Sequence, residues 1–256
     1  MKILDLFSGI GGFSLGLEKA GFQTSAFCEI DSFCQKVLKQ HWPDVPIYND
    51  VSKVSRNQLE QDGITDIEII TGGFPCQDLS CAGTQKGINN GTRSGLWWEM
   101  QRIISEIRPK FAIMENVPNF LSGERGDWFA EFLGSLAEIG YNAQWHCISA
   151  AAVGSPHVRE RVWIIAYPKS IRMDVGFFEQ IQLSQKLRSD WESKEYLYIN
   201  SIRYSYPEIP EHLRVDDGLS FELDEIKQRI KACGNSIVPE IAYQIGLSIK
   251  QFENKN

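Results

Sequence analysis

Alternating strand and helix signals through the first two-thirds of the chain predict an α/β domain with a parallel sheet covered on both faces. Two observations carry that class. Short apolar runs of strand length (Lys2–Leu6, Gln23–Phe27, Ile67–Thr71, Phe111–Met114) recur between stretches with helical spacing. Glycines, acids and a cysteine then follow those runs directly, where α/β enzymes place their reacting groups.

The elements follow in order. Lys2–Leu6 reads as a first buried strand. Phe13–Ala20, with apolar residues at 13, 17 and 20, reads as a helix stopped by Gly21. Gln23–Phe27 is a second strand, Ser32–Gln40 a second helix and Pro46–Tyr48 a short extended stretch. After the buried strand Ile67–Thr71, Gly95–Ile107 is an amphipathic helix through Leu96, Trp97, Met100, Ile103, Ile104 and Ile107. Phe111–Met114 is a strand, and Trp128–Ile139 a helix ended by Gly140. Ala143–Ala152 and Val158–Ala166 read as a closing hairpin. From Tyr167 to about Leu213 the periodicity fades, and aromatic residues (Trp191, Tyr196, Tyr198, Tyr204, Tyr206) mix with charges. That stretch is either a solvated excursion or a binding segment. Gly234-Asn235-Ser236-Ile237-Val238-Pro239 opens a last helix, with Asn235 or Ser236 as cap, Pro239 in its first turn and Ile241, Ile245 and Ile249 in one stripe. The organisation expected is a catalytic and cofactor-binding domain over 1–167, a short target-recognition region over 168–213, and a C-terminal segment over 214–256 packing back on the first domain.

The 256 residues are 43% hydrophobic and 23% charged, ordinary for a globular protein. No apolar run approaches the roughly 18 residues of a membrane span, and an aspartate interrupts the start, so no signal peptide is expected. The six cysteines (28, 34, 76, 81, 147, 233) show neither a disulfide nor a zinc spacing, which suits free thiols in a reducing cytoplasm. Net charge is −7. Residues 1–155 hold 12 Lys+Arg against 18 Asp+Glu, and residues 156–231 hold 12 against 13. The later region is less acidic without being a basic patch, so a nucleic-acid partner would have to be met by arginines gathered locally.

Gly72-Gly73-Phe74-Pro75-Cys76-Gln77 is the most informative segment. A cysteine on a Gly-Pro turn past a strand end suits a nucleophile, provided its thiolate is favoured; a buried inert thiol is the plainer alternative. Asp5-Leu6-Phe7-Ser8-Gly9-Ile10-Gly11-Gly12-Phe13 is a glycine-rich strand-to-helix turn that lets a ligand approach the backbone. Gly9-x-Gly11-x-x-Ser14 nearly matches a dinucleotide fingerprint but lacks its third glycine. Glu29 and Ile30 follow the second strand, where an acid commonly takes ribose hydroxyls; Asp50 and Val51 follow the extended stretch, where an acid can meet an adenine amino group. Glu115 stands at the next strand end. Burial there would raise its pKa and let it hold a substrate nitrogen. Arg159 and Arg161 are two apart, so in extended chain they share a face and suit an anion or a polarised carbonyl, or else a strand-end ion pair.

Together these residues resemble the C5-cytosine DNA methyltransferases. The motif order of that family is followed by Asp5–Gly12, Glu29, Asp50, Gly73-Phe74-Pro75-Cys76-Gln77, Glu115-Asn116-Val117, Arg159-Glu160-Arg161 and Gly234-Asn235-Ser236, spanning nearly the whole chain. The resemblance implies a Rossmann-like, S-adenosylmethionine-dependent methyltransferase sheet with a small irregular target-recognition region. It implies double-stranded DNA as substrate and S-adenosyl-L-methionine as cofactor, with no metal and no membrane. A monomer acting in a bacterial or phage-infected cytoplasm is expected, and a cognate restriction endonuclease is compatible without physical contact. Carbon 5 of cytosine is a poor nucleophile until a thiolate adds to carbon 6. By resemblance Cys76 is that thiolate, Glu115 holds or protonates N3, and Arg159, supported by Arg161, binds O2 and orients Glu115. The base must be flipped out of the duplex, at a cost of roughly a few kcal/mol. By the same resemblance the cofactor pocket uses Phe7, Gly9, Gly11, Gly12, Phe13, Glu29, Ile30, Asp50, Val51, Pro75, Leu96, Asn235 and Ser236.

His157 stands where the family usually has glutamine, and the recognition region is short, which points to a short or degenerate site. Arg214-Val215-Asp216-Asp217-Gly218 is all that remains of the motif before the last helix. Other readings differ in what they leave unexplained. The same chemistry on tRNA shares the catalytic motifs. A nicotinamide-dependent oxidoreductase accounts for the glycine turn and Glu29 but leaves Cys76, Glu115 and both arginines idle. A silent DNA-binding protein conflicts with the acidic charge. If aromatic and basic residues in 185–206 read the target, exchanging that stretch changes which sequence is methylated, as bisulfite sequencing reports; unchanged specificity moves recognition elsewhere.

Overall fold

The computed structural model describes residues 1–75, 95–153, 159–173, 178 and 221–255, the first six of the last group by backbone only. Seven strands form one sheet: β1 (Lys2–Leu6), β2 (Gln23–Cys28), β3 (Ile47–Tyr48), β4 (Ile67–Gly72), β5 (Phe111–Asn116), β6 (Tyr141–Ser149) and β7 (Glu160–Pro168), in the order β3-β2-β1-β4-β5-β7-β6. Neighbouring strands from β3 to β5 pair in parallel, while β7 runs antiparallel to both β5 and β6. The sheet is therefore mixed rather than wholly parallel, because the last two strands form a hairpin.

Among the described residues the α-helices are α1 (Gly12–Lys19), α2 (Ser32–His41), α3 (Arg56–Gln61), α4 (Leu96–Ile107), α5 (Asn119–Ser122), α6 (Asp127–Glu138), α7 (Phe221–Asn235) and α8 (Pro239–Glu253). Period-two alternation sends successive strand side chains into two cores. On β5 and β7, Ala112, Met114, Val162 and Ile164 join Trp97, Met100, Ile103 and Ile104 of α4 and Phe132 of α6. Phe111, Ile113, Trp163 and Ile165 face the other way, onto Phe13 and Leu17 of α1 and Ile241, Ile245 and Ile249 of α8. α8 thus completes the face that α1 begins. Gly16 makes the approach possible, since a Cβ there would collide with the Pro239 carbonyl oxygen.

Three expectations change. Neither Asn235 nor Ser236 caps the last helix: Val238 occupies the N-cap without a side-chain bond, Pro239 opens the helix, and Asn235 ends α7. The Ser236 hydroxyl instead donates to the Ile237 carbonyl at 3.1 Å. α7 itself escaped the reading because charged residues crowd its sequence. The first hairpin strand starts at Tyr141 and stops at Ser149, since Ala150–Val153 tightens into a 3-10 turn. Val158 lies outside the described residues, as do most of the expected recognition region and Arg214–Gly218.

Asp5, fully buried on β1, ties three elements. Its Oδ1 accepts from the Thr71 hydroxyl of β4 at 2.6 Å and its Oδ2 from the Ser14 hydroxyl of α1 at 2.9 Å. Burial pushes its carboxyl from 3.8 up to about 7, against the lowering effect of those two bonds. A raised acid stabilises the fold fully below its unfolded value and loses that contribution as pH rises through its folded value. Asp5→Asn stays neutral, so its stability should lack the part of the decline between about pH 4 and 7 that Asp5 causes, on the order of a few kcal/mol. Denaturant unfolding of both proteins across that range checks this; parallel pH curves would count against it.

Candidate active site

Five parallel strands end on one edge of the sheet, and residues at or just past their ends line a cavity of about 630 Å³. From β1 come Phe7 and Gly9, from β2 Glu29 and Ile30, from β3 Asp50 and Val51, from β4 Gly73, Phe74 and Pro75, from β5 Glu115, Asn116 and Val117. Because β7 runs the other way, its start delivers Arg159 and Arg161 to the same edge. Leu96 of α4 and Gln228, Lys231 and Asn235 of α7 close the walls.

At the β1 end the backbone turns through Phe7 (φ 52) and Gly9 (φ 54). A Cβ on Gly9 would meet no atom within 4 Å, which leaves open space where the chain bends round the cavity. Glu29, 9% exposed, is held by two backbone amides: its Oε2 accepts from Gly9 and its Oε1 from Asp31, each at 2.7 Å. Its carboxylate is fixed toward the turn before any ligand arrives. Ile30 beside it is 83% exposed. Asp50 accepts from the Ser52 amide (3.0 Å) and hydroxyl (2.7 Å) through one oxygen, and these bonds hold its carboxyl below the usual range.

The other end of the cavity centres on Glu115. It is 8% exposed, and its Oε1 lies 3.0 Å from Nε of Arg161. Burial raises its pKa, and the charges of Arg161 and Arg159 only partly oppose this. Arg159 sends Nη1 to the Gly234 carbonyl at 2.7 Å, tying β7 to the end of α7. Gly73 gives Glu115 room: a Cβ there would sit 3.4 Å from Oε2. Asn116, 3% exposed, donates from Nδ2 to the Phe74 carbonyl at 3.3 Å, while its Oδ1 accepts from the Val117 amide at 2.8 Å. The segment leading to Cys76 is thereby fastened to the strand that carries Glu115.

Cys76 lies outside the described residues, and so does His157. Of the other expected site residues, Phe7, Gly9, Glu29, Ile30, Asp50, Val51, Pro75, Leu96, Glu115, Arg159, Arg161 and Asn235 line the cavity. Gly11, Gly12, Phe13 and Ser236 are not among its lining residues. Gly11 (φ 85) packs beneath Trp42, and Gly12 abuts Ile237 and Ser236. Phe13 is turned into the core, edge-on to Trp163 at 5.6 Å. Sequence reading missed Gln228 and Lys231, which no spacing marks; Asn116 was legible within its motif but had no assigned contact. Burial pushes the thiols of Cys28 and Cys34 up to about 12 and that of Cys147 upward, so these three stay protonated and unreactive near neutral pH.

A sheet of this order with a strand-end cavity defines the S-adenosylmethionine-dependent methyltransferase fold. The solved Dnmt2 methyltransferase of S. pombe shares it, with a TM-score of 0.65 over 98% of both chains at 15% identity. The chain belongs to the C-5 cytosine-specific DNA methylases, whose family model matches residues 1–216. The type II methyltransferase M2.BsuMI of Bacillus subtilis is 36% identical over 170 residues, 65% of this chain and 42% of the relative. M.HhaI of Haemophilus parahaemolyticus is 32% identical over 173 residues, 68% and 51% respectively. The chain spans about half the length of the curated relatives it matches. No described helix is long and apolar enough to cross a membrane.

Arg161→Gln removes the positive charge beside Glu115 and leaves burial in command. The Glu115 carboxyl should then titrate at higher pH than in the parent, as carbon-13 NMR of labelled glutamate reports. An unmoved titration would show that the ion pair does not control its proton.

Proposed function

We propose that this chain is a DNA (cytosine-5-)-methyltransferase that moves a methyl group from S-adenosylmethionine to carbon 5 of a flipped cytosine in a short DNA site, through a transient bond to Cys76. One observation carries the reading. A buried carboxyl whose pKa is raised, paired with Arg161 and flanked by Arg159, shares a cavity with the Phe74-Pro75 segment that runs directly into Cys76.

The cavity fits the cofactor class. Glu29 is pre-set at the end of β2 for ribose hydroxyls, Gly9 leaves space for close approach, and Ile30, Val51 and Leu96 offer apolar surface to a purine. Asp50 keeps an oxygen that Ser52 does not use and can accept from an amino group. When bound, S-adenosylmethionine supplies an electrophilic methyl on its sulfonium.

The residues of this chain would supply the rest. Cys76 adds its sulfur to carbon 6 of the base, which breaks aromaticity and loads electrons onto carbon 5. Glu115, kept protonated by burial, donates to N3 so that negative charge does not accumulate on the ring. Arg159, which donates to the Gly234 carbonyl at the cavity, would turn its charge toward O2, while Arg161 stays with Glu115 and orients it. Once carbon 5 has taken the methyl and S-adenosylhomocysteine is left, the carbon 5 proton would pass to solvent, its electron pair would expel Cys76 as the thiolate, and N3 would return its proton to Glu115, restoring the ring.

Cys76→Ser should lose methyl transfer by several orders of magnitude while S-adenosylmethionine binding persists. DNA containing 5-fluorocytosine should give a denaturation-resistant adduct at Cys76, because fluorine cannot leave as a proton does. Near-parental turnover by Cys76→Ser would refute the assignment of Cys76; label found in tRNA rather than DNA would replace the substrate.

A further inference from the structure

The lining of the proposed cofactor pocket includes Leu96 at the start of α4 and Asp50 and Val51 in the turn after β3. Both are set by one helix. Leu96 belongs to α4 itself, and six residues on, about 9 Å along the axis, Arg102 reaches out of α4 to the turn. Its Nη2 donates to the carbonyls of Val51 (3.2 Å) and Val54 (2.9 Å), the two ends of the 3-10 turn that Asp50 caps. Its Nε donates to Glu99 at 2.9 Å and its Nη1 to Glu106 at 2.7 Å, so the guanidinium plane is clamped from both sides. Glu106 reaches α3 as well, its Oε2 accepting from the Arg56 amide at 3.1 Å.

An exposed i,i+3 or i,i+4 ion pair by itself contributes little. Two charge-assisted bonds to backbone carbonyls are a different matter, because they fix main chain rather than another flexible side chain. No lysine can copy them together with both carboxylates, having one ammonium in place of a planar fork.

We infer that Arg102 is a positioning residue for the cofactor pocket, holding the Asp50–Val51 turn against α4 so that the Asp50 carboxyl is placed to accept from an adenine amino group. It touches no ligand. It acts through the turn, and so through the acceptor that Asp50 turns toward a purine amino group. The inference deepens the reading of the cavity as an S-adenosylmethionine site and rests on it.

The test is calorimetric binding to the full chain of S-adenosylhomocysteine and of its hypoxanthine counterpart, in which a carbonyl replaces the amino group. The parent should prefer the adenine form. Arg102→Met keeps the stem and removes the fork; it should bind the adenine form about tenfold more weakly and the hypoxanthine form nearly as the parent does, so that the preference shrinks. A merely structural role would weaken both ligands alike, and that result, or parental binding of both, overturns the inference. Should Arg102→Met fail to fold, Arg102→Lys retains the charge, and an undiminished preference in that variant overturns it equally. A parent that binds neither ligand refutes the cofactor reading itself, and this inference falls with it.

Discussion

The antiparallel register of β7 on β5 is the constraint from which the candidate site follows. Glu115 pairs with Trp163 and Asn116 with Val162, so the next residue of β7, Arg161, falls beside the Glu115 side chain. Had the final strands continued the parallel pattern, a crossover would have carried β7 to the sheet edge with its far end toward the cavity. The reversal brings the N-terminal end of β7 to the edge where the parallel strands finish. A buried carboxyl and two guanidiniums then meet without any long excursion of the chain.

That meeting sets the electrostatics. A carboxyl removed from water without a partner would be neutral far above the usual range, and one fully paired with arginine would be ionised. Glu115 sits between these limits with burial the stronger influence. Such a group can keep a proton and still be oriented by a cation, the combination that hydrogen-bond donation to a ring nitrogen calls for. Asn116 extends the arrangement by fastening Phe74 to the same strand.

The end of the cavity proposed for the cofactor is built on different physics. Backbone amides hold Glu29, a serine holds Asp50, and an arginine on a neighbouring helix holds the turn that Asp50 begins. Both acids have their geometry fixed by donors around them, so little of their freedom would remain to be lost if a ligand bound there. Asp5 does the same for the fold, since one buried carboxyl joins β1, β4 and α1 directly beneath the glycine turn.

Much of this was legible in the linear chain. Strand and helix periods placed β1, β2, β4, β5 and α4 within a residue or two, because a buried parallel sheet demands apolar runs and leaves its ligand-binding groups at their ends. Glu29, Asp50 and Glu115 could be singled out for the same reason. What the sequence could not decide was contact. Nothing in the spacing says that Phe13 turns into the core and Glu29 toward the cavity, that Arg161 rather than Arg159 pairs with Glu115, or that α7, with its charged sequence, supplies a wall. Those outcomes depend on which distant elements pack together and on how burial weighs against charge, quantities that exist only once the chain has folded.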